Sequence, residues 1–429
     1  MKKVFSGKKV LVMGLGLLGG GVEVVKFFCR QGAKVIVTDL KTKKELKESV
    51  EKLKNFKVEF VLGRHRKKDF QQADLIVKNP AVKNDSPFLK IAKRNKIPVK
   101  TDIEIFFDFC PRSQIIGITG TKGKSTLSAL VYKLLKKKQK SVFLGGNIGV
   151  SPLKFLPKIK KESKIVLELS SFALENLKKS PHIAIITCLF PDHLNRYKSF
   201  REYVKAKESI FKFQEKNDIL ILNKEDKETA RLANKARSKV YFFKGTFNVL
   251  EIIARIFKIP KRKVKEVIKE FRGIPGRQEI VAKIKGVLYV NDTTATTPQS
   301  TILAIKNFRE KFPNAKIILI AGGEDKNLNY KNLAEFIEKE VSFLVLLPGS
   351  ASNKIKKEIK EKKKLISVNT LYSAAKKAKN LAKAGDIVLF SPGATSFNLF
   401  KNEFDRGEQF VKLIKELSSK SKNAKKRVS

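Results

Sequence analysis

Short apolar runs, each ending at a glycine or a polar residue and each followed by a helix-like stretch, recur from one end of the chain to the other. This alternation constrains the fold more than any other feature. KKVLVM (8–13), KVIVTD (34–39), runs at 59–62 and 74–77, and the run entered at Gln114 read as buried strands. So do KIVLELSSFAL (164–174), IAIITCLFPDHLNRY (183–197), VLYVND (287–292), KIILIAGG (316–323), FLVLLPG (343–349) and DIVLFSPG (386–393). Strands separated by helices demand parallel sheets covered on both faces, which is the α/β architecture. At 429 residues the chain has length for about three such domains.

In a parallel sheet, ligands bind beyond the carboxyl ends of the strands, so the residues that follow each apolar run are the candidates for function. After the first run, Gly14, Gly16 and Gly19 stand in GxGxxG register, with Asp39 about 20 residues further on. Glycines there let backbone approach a phosphate at a helix N-terminus, and the acid can bond a ribose hydroxyl. The same glycines also serve close helix–strand packing, and both readings stand.

A second strand and turn, IIGITGTKGKSTLSALVYKLL, begins after Gln114. Strict Walker A spacing wants glycine where this chain has Ile118, yet Gly120, Thr121, Gly123, Lys124, Ser125 and Thr126 keep the working parts. Exposed amides cradle phosphates, Lys124 reaches the terminal ones, and the Ser125 hydroxyl can ligate Mg²⁺. A lysine in such a turn has no packing reason to be there. Two later runs bring Glu168, Asp192 and His193 to the same sheet edge, and the last third places Asp292, Thr296, Lys326, Ser391 and Ser396 after its strands. Helix capping is the competing account of those serines and threonines.

Charge needs the next argument, because 92 lysines and arginines against 41 acids leave a formal +51. A dedicated polyanion site would cluster its cations and interleave aromatics. Here the lysines are spread along the whole chain, in KKKQK (136–140), KRKVKEVIK (261–269) and KIKKEIKEKKK (354–364) among others. The expectation is a solvated basic surface with no specific nucleic-acid partner, and with a disordered basic arm at 418–429. Cys29, Cys110 and Cys188 form no paired spacing, which fits core thiols in a reducing compartment. The uncharged stretch from Val10 to Val22 is glycine-punctuated and too short to span a membrane. A cytoplasmic, soluble, monomeric protein is expected.

Taken in order, GITGTKGKST (117–126), GGNIG (145–149), LELSSFAL (167–174), PDHLNRY with KAKESI (191–210), YVNDTTATTP (289–298), AGGEDK (321–326) and SPGATSFNLFKNEFDRG (391–407) resemble the Mur ligase family from about residue 8 to 416. These are ATP-dependent amide-forming enzymes of cell-wall precursor synthesis, and the last segment is similar to the D-glutamate-adding members. The resemblance implies an N-terminal Rossmann-like domain for the UDP substrate (1–108), a central P-loop ATPase-like domain for ATP and Mg²⁺ (109–276) and a C-terminal Rossmann-like domain for the amino acid (277–417). It gives the phosphate loop to Gly120, Thr121, Gly123, Lys124, Ser125 and Thr126. Nucleotide contacts fall to Arg277 and Asp292, and metal binding to Ser125, Glu168, His193 and a carbamylated Lys207. Gly14, Gly16, Leu17, Leu18, Asp39 and Asn147 would face the UDP-sugar, with Thr296, Lys326 and Ser396 on D-glutamate. Lys124, His193, Lys207 and Lys326 would carry the catalysis.

The chain also departs from the family pattern. Lys122 stands where asparagine or aspartate is usual, Gly276 where a histidine precedes Arg277, and Thr294 where a lysine is common. Glu403 takes the place of a substrate-facing aromatic, with Phe404 beside it, and the segment 241–248 is short. The implied reaction is phosphorylation of the alanyl carboxylate of UDP-N-acetylmuramoyl-L-alanine followed by attack of the D-glutamate amine. Two other readings are carried: a different amide ligase of the same family, such as a folylpolyglutamate-type enzyme, and a basic nucleic-acid-binding ATPase.

Overall fold

The computed structural model describes residues 3–17, 19–148, 150–194, 196–271, 273–325, 328–396 and 399–426. Every apolar run named above contributes a strand; all but Val58–Leu62, which forms an edge, lie inside a sheet with both faces covered. Three sheets result. The first holds β1 (Lys9–Met13), β2 (Lys34–Asp39), β3 (Val58–Leu62), β4 (Leu75–Lys78) and β5 (Val99–Lys100), all parallel in the order β3-β2-β1-β4-β5.

The second sheet is also parallel throughout. It contains β6 (Ile115–Thr119), β7 (Val142–Gly146), β8 (Lys164–Glu168), β9 (Ile183–Ile186), β10 (Ile219–Asn223) and β11 (Lys239–Phe243), ordered β11-β10-β9-β6-β8-β7. The chain moves from β6 to one side for β7 and β8 and then to the other for β9. The loops after β6, β8 and β9 therefore converge at a topological switch point, where such sheets bind ligands.

The third sheet takes β12 (Glu279–Ile284), β13 (Val287–Asn291), β14 (Ile317–Ala321), β15 (Phe343–Leu346), β16 (Leu365–Ser367) and β17 (Ile387–Phe390) in the order β12-β13-β17-β14-β15-β16. Only β12 runs antiparallel, as an edge hairpin turned at Lys285-Gly286.

The chain divides into two compact units, 1–271 and 272–429. In the first, both sheets share one apolar cluster. Phe27 and Phe28 of the helix Gly20–Arg30 and Phe106 and Phe107 of the helix Asp102–Phe109 are joined in it by Leu153, Phe155 and Ile115. Burying such aromatics contributes roughly 1.5–3 kcal/mol each. In the second unit, both faces of the sheet are covered by separate clusters, one around Leu319, Leu333 and Leu389 and one around Tyr289, Phe390 and Phe410. The segment from Ser418, expected as a disordered arm, instead continues the last helix, which runs Glu403–Lys426. A helix already docked through Phe410 and Ile414 propagates at little further cost, one bond per added residue. Among the described residues no helix is long and apolar enough to cross a membrane.

Candidate active site

The loop after β6 is a glycine-rich turn pinned by its neighbours. Gly120 has φ 143° and Gly123, at φ 81°, caps the helix Lys124–Lys136 in the left-handed region. A Cβ on Gly120 would lie 1.9 Å from Thr187 Oγ1, so this glycine is required by close approach as well as by φ. Thr187 in turn donates to the Lys122 carbonyl. The Thr121 amide donates to the Cys188 carbonyl at 2.7 Å, and the Thr121 hydroxyl exchanges bonds with the backbone of Phe190 at 3.2 Å. Ile118, the departure from Walker spacing, sits inside β6 opposite Glu168 and is fully buried. The sheet fixes that residue and the turn begins after it.

Two lysines converge on this loop. Lys124 Nζ donates to the Gly120 and Thr121 carbonyls at 3.0 Å each. Lys207, on the helix Phe200–Glu208, is 1% exposed, and its Nζ lies 2.9 Å from the Gly120 carbonyl and 3.4 Å from the Thr119 hydroxyl. It also sits 4.7 Å from the centre of the Tyr203 ring. Burial, and then the neighbouring Lys124 cation, hold the Lys207 amine well below the usual lysine range.

Glu168 ends β8 beside the loop and is 1% exposed. One carboxylate oxygen accepts from Asn147 Nδ2 at 3.0 Å, and its backbone carbonyl accepts from the Asn147 amide at 2.8 Å. Asn147, expected on the UDP-sugar, thus has its side chain on Glu168. Among the described residues, the other carboxylate oxygen is buried without a partner, as is the Ser125 hydroxyl. Unpartnered hard oxygens beside this glycine-rich loop suit Mg²⁺, which binds through one or two carboxylates plus phosphate oxygens. His193 stands apart from this pair in character: it is half-exposed, has φ 55°, and lies against Phe172 with ring centres 4.7 Å apart. Among the described residues no three His, Cys, Asp or Glu side chains cluster as a preformed metal cage.

In the first sheet, Gly14 and Gly16 have φ 91° and 65°, and the Asp39 carboxylate closes their turn by accepting from the Gly16 amide at 3.1 Å and the Lys41 amide at 2.9 Å. Close helix packing falls to Gly21, where a Cβ would meet the Leu15 carbonyl at 2.2 Å; Gly19 faces open space and serves as the left-handed N-cap. Leu17 is partly exposed beside the turn. Leu18 and Lys326 lie outside the described residues.

In the second unit, the Asp292 carboxylate is buried, accepting from Ser391 Oγ at 2.7 Å and from the Gln278 amide at 3.1 Å. Arg277, one residue before Gln278, is anchored through its own amide to the Ile274 carbonyl and has a partly buried side chain. Two departures from the family pattern touch each other, since Thr294 Oγ1 donates to the Gly276 carbonyl at 2.9 Å. Gly276 has φ 72°, and a Cβ there would lie 2.7 Å from Thr293, so a histidine would not fit this arrangement. Thr296 is partly buried, and Ser396 is buried with no partner for its hydroxyl among the described residues. Phe404 lines a cavity of about 500 Å³ with Gly276, Asn291, Thr293 and Gly407. Glu403 instead presents its carbonyl to Thr293 Oγ1 at 2.7 Å.

One residue carries more of this region than its sequence context disclosed. Arg406 is completely buried, donating to the Thr293 carbonyl (2.7 Å), the Thr293 hydroxyl (3.1 Å) and the Ala394 carbonyl (3.2 Å). Burial pushes its guanidinium down to about 10, which still leaves it charged at neutral pH. It ties together the loops that carry Thr296 and Ser396. Nothing in the FDRG segment separates a buried arginine from a solvated one.

Comparison with known proteins follows the same divisions. Residues 8–101 match the MurD-like N-terminal domain of Mur ligases, 118–273 the Mur ligase middle domain, and 276–393 the Mur ligase glutamate ligase domain. The UDP-N-acetylmuramoylalanine--D-glutamate ligase of Borreliella afzelii is 38% identical across 94% of this chain and 97% of its own. The enzyme of the same name from Roseiflexus sp. is 35% identical across 95% and 98%. Among solved structures, the UDP-N-acetylmuramate-alanine ligase MurC of Thermotoga maritima shares the fold with a TM-score of 0.63 at 20% identity, covering 95% of this chain and 99% of its own.

Proposed function

The chain belongs to the Mur ligase family, and from that premise we propose that it joins D-glutamate to UDP-N-acetylmuramoyl-L-alanine at the expense of ATP, as a ligase of peptidoglycan precursor synthesis. The observation that carries the reading is the convergence of the Gly120–Thr126 loop, Glu168 and Lys207 at one switch point. That is an apparatus for a phosphoryl group and has no use in simple recognition.

In the proposed reaction an alanyl carboxylate oxygen attacks the γ-phosphorus and ADP leaves. The D-glutamate amine then attacks the acyl-phosphate carbon, inorganic phosphate leaves, and the amine gives up its proton to the surroundings. The demand throughout is to hold charge in place. The amides of the loop would bind the β- and γ-phosphates, and Lys124 would shift from the Gly120 and Thr121 carbonyls to the transferring group. Bound Mg²⁺ supplies neutralisation of phosphate charge; Ser125 and Glu168 would hold one ion, and His193 with a carbamylated Lys207 a second. Burial favours the neutral form of the Lys207 amine, which is the form able to take up CO₂.

Three domains share the work in this reading: 1–108 takes the UDP moiety at the Gly14–Gly16 turn and Asp39, 109–276 takes ATP, and 277–417 takes the amino acid. Asn147 would act by orienting Glu168. Arg277 and Asp292 would meet the nucleotide, and Thr296, Lys326 and Ser396 the D-glutamate.

Phosphate release in the presence of ATP, Mg²⁺, UDP-N-acetylmuramoyl-L-alanine and a panel of D- and L-amino acids tests this. Release that depends on both the UDP-sugar and D-glutamate is expected. Dependence on another amino acid, or on no amino acid, would overturn the acceptor assignment.

A further inference from the structure

The loop that follows β4 packs against two places at once. On one side it touches the glycine turn after β1: the Asn79 amide donates to the Met13 carbonyl at 2.8 Å, and a Cβ on Gly14 would lie 2.9 Å from Asn79 Cβ and 3.6 Å from Val82. On the other side it is held by Arg196, from the same loop as His193. Arg196 Nη1 donates to the Ala81 carbonyl at 2.9 Å, and Nε and Nη2 form a two-pronged pair with Glu175 at 2.9 and 2.8 Å. Glu175 belongs to the connection that leaves Glu168, and it also accepts from Asn84 Nδ2 at 3.1 Å.

Arg196 continues inward. Its guanidinium lies 4.3 Å from the centre of the Phe172 ring, which also packs against the His193 imidazole at 4.7 Å and the Tyr197 ring at 6.2 Å. The Arg196 amide also donates to the His193 carbonyl at 2.9 Å. Its side chain is 9% exposed and Glu175 is 12% exposed, so the pair is shielded from salt and its geometry is fixed by the planar fork. A surface ion pair would carry no such argument.

We propose that Arg196 is a positioning residue that couples occupancy of the glycine turn to the placement of the His193 loop, so that the UDP-sugar and the nucleotide tighten each other's binding. The inference rests on the ligase reading for the identity of the two ligands. A ligand that orders the Gly14–Gly16 turn fixes Asn79 and Val82, hence the Ala81 carbonyl, the guanidinium and the Phe172–His193 stack. Coupling of this kind is reciprocal by thermodynamic necessity.

The test is calorimetric titration of a non-hydrolysable ATP analogue with Mg²⁺, with and without saturating UDP-N-acetylmuramoyl-L-alanine, in the full chain and in Arg196→Lys and Asn84→Ala. In the unmodified chain each ligand is expected to tighten the other at least about fivefold. In Arg196→Lys, which keeps the charge and loses the fork, that factor should fall towards one, while either ligand alone binds within about threefold of normal. Steady-state kinetics should show KM for ATP ceasing to depend on the UDP-sugar concentration. Should the lysine variant fail to fold, Asn84→Ala, on the exposed rim of the same contact, is expected to reduce the coupling about twofold or more. Undiminished coupling in a folded variant, or binding of both ligands without coupling in the unmodified chain, would overturn the inference. No response of the unmodified chain to the UDP-sugar would overturn the ligase reading itself.

Discussion

Lys207 Nζ points at the carbonyl of Gly120, 2.9 Å away, from inside a site where it has almost no contact with water. A buried ammonium facing a loop that already holds Lys124 is electrostatically costly, and conversion to a carbamate would replace it with an anionic oxygen ligand.

Lys207→Ala is therefore expected to lose activity by at least about a hundredfold, and a small carboxylic acid in excess should restore part of it by filling the vacated space. Incubation of the unmodified protein with ¹³C-bicarbonate should give a carbamate carbon signal that the variant lacks. Full activity in Lys207→Ala, or no such signal in active protein, would exclude the modification.

Lys124→Ala should leave the fold intact, because its ammonium bonds loop carbonyls and supports no core. Turnover of ATP is expected to fall at least about a hundredfold, the usual cost of removing one preorganised charge from a transition state. The unfolding midpoint and the turnover number, measured together, decide it: a folded variant with near-normal turnover would remove Lys124 from the nucleotide site.

Gly120 tests the loop from the backbone side. Gly120→Ala forces a Cβ to within 1.9 Å of Thr187 Oγ1 at a φ of 143°. Strain from the backbone alone costs about 1–3 kcal/mol, with the clash added. Pairing it with Thr187→Ala should recover the clash and leave the backbone cost, so urea unfolding of the single and double variants separates the two. Equal stability of both variants would mean that the threonine had never been the obstacle.

Much of this was legible in the residues and some was not, for physical reasons. Apolar runs such as KIILIAGG, short and closed by glycine, read as buried strands, and the residues that follow them are at the sheet edge wherever the sheet stands. Short or amphipathic edge strands, such as Val99–Lys100, Leu365–Ser367 and the half-exposed Glu279–Ile284, carry too little pattern to be seen. The glycine register signals a turn, yet the helix contact belongs to Gly21, since which glycine lacks room for a side chain depends on packing that spacing does not encode. Asn147, Arg196 and Arg406 act through partners distant in sequence, and a single chain holds no record of those pairings.

Arg406 makes the second unit's contribution testable. Arg406→Met leaves the Thr293 and Ala394 carbonyls without this donor, and each buried group so deprived costs about 1–3 kcal/mol. Arg406→Lys should recover only part of that, because one ammonium does not span three acceptors. If Thr296 and Ser396 bind D-glutamate, KM for the amino acid should rise at least about tenfold in the lysine variant with KM for ATP nearly unchanged. A uniform loss in all kinetic constants would mean that the arginine supports only the fold.

The glycine turn of the first sheet fits a diphosphate of either a UDP-sugar or a dinucleotide, since both would meet amides at the N-terminus of the helix Gly20–Arg30. What separates them is the rest of the chain. A dehydrogenase has no use for a glycine-rich loop that gathers two lysines beside a carboxylate oxygen buried without a partner among the described residues. Calorimetric titration with NAD, NADP and UDP-N-acetylmuramoyl-L-alanine should show binding of the UDP-sugar alone. Asp39→Ala should weaken that binding by at least about tenfold, because the carboxylate both shapes the turn through the Gly16 amide and offers its remaining lone pairs to the ligand. Micromolar binding of a dinucleotide with no response to the UDP-sugar would reassign the turn, and with it the substrate of the whole chain.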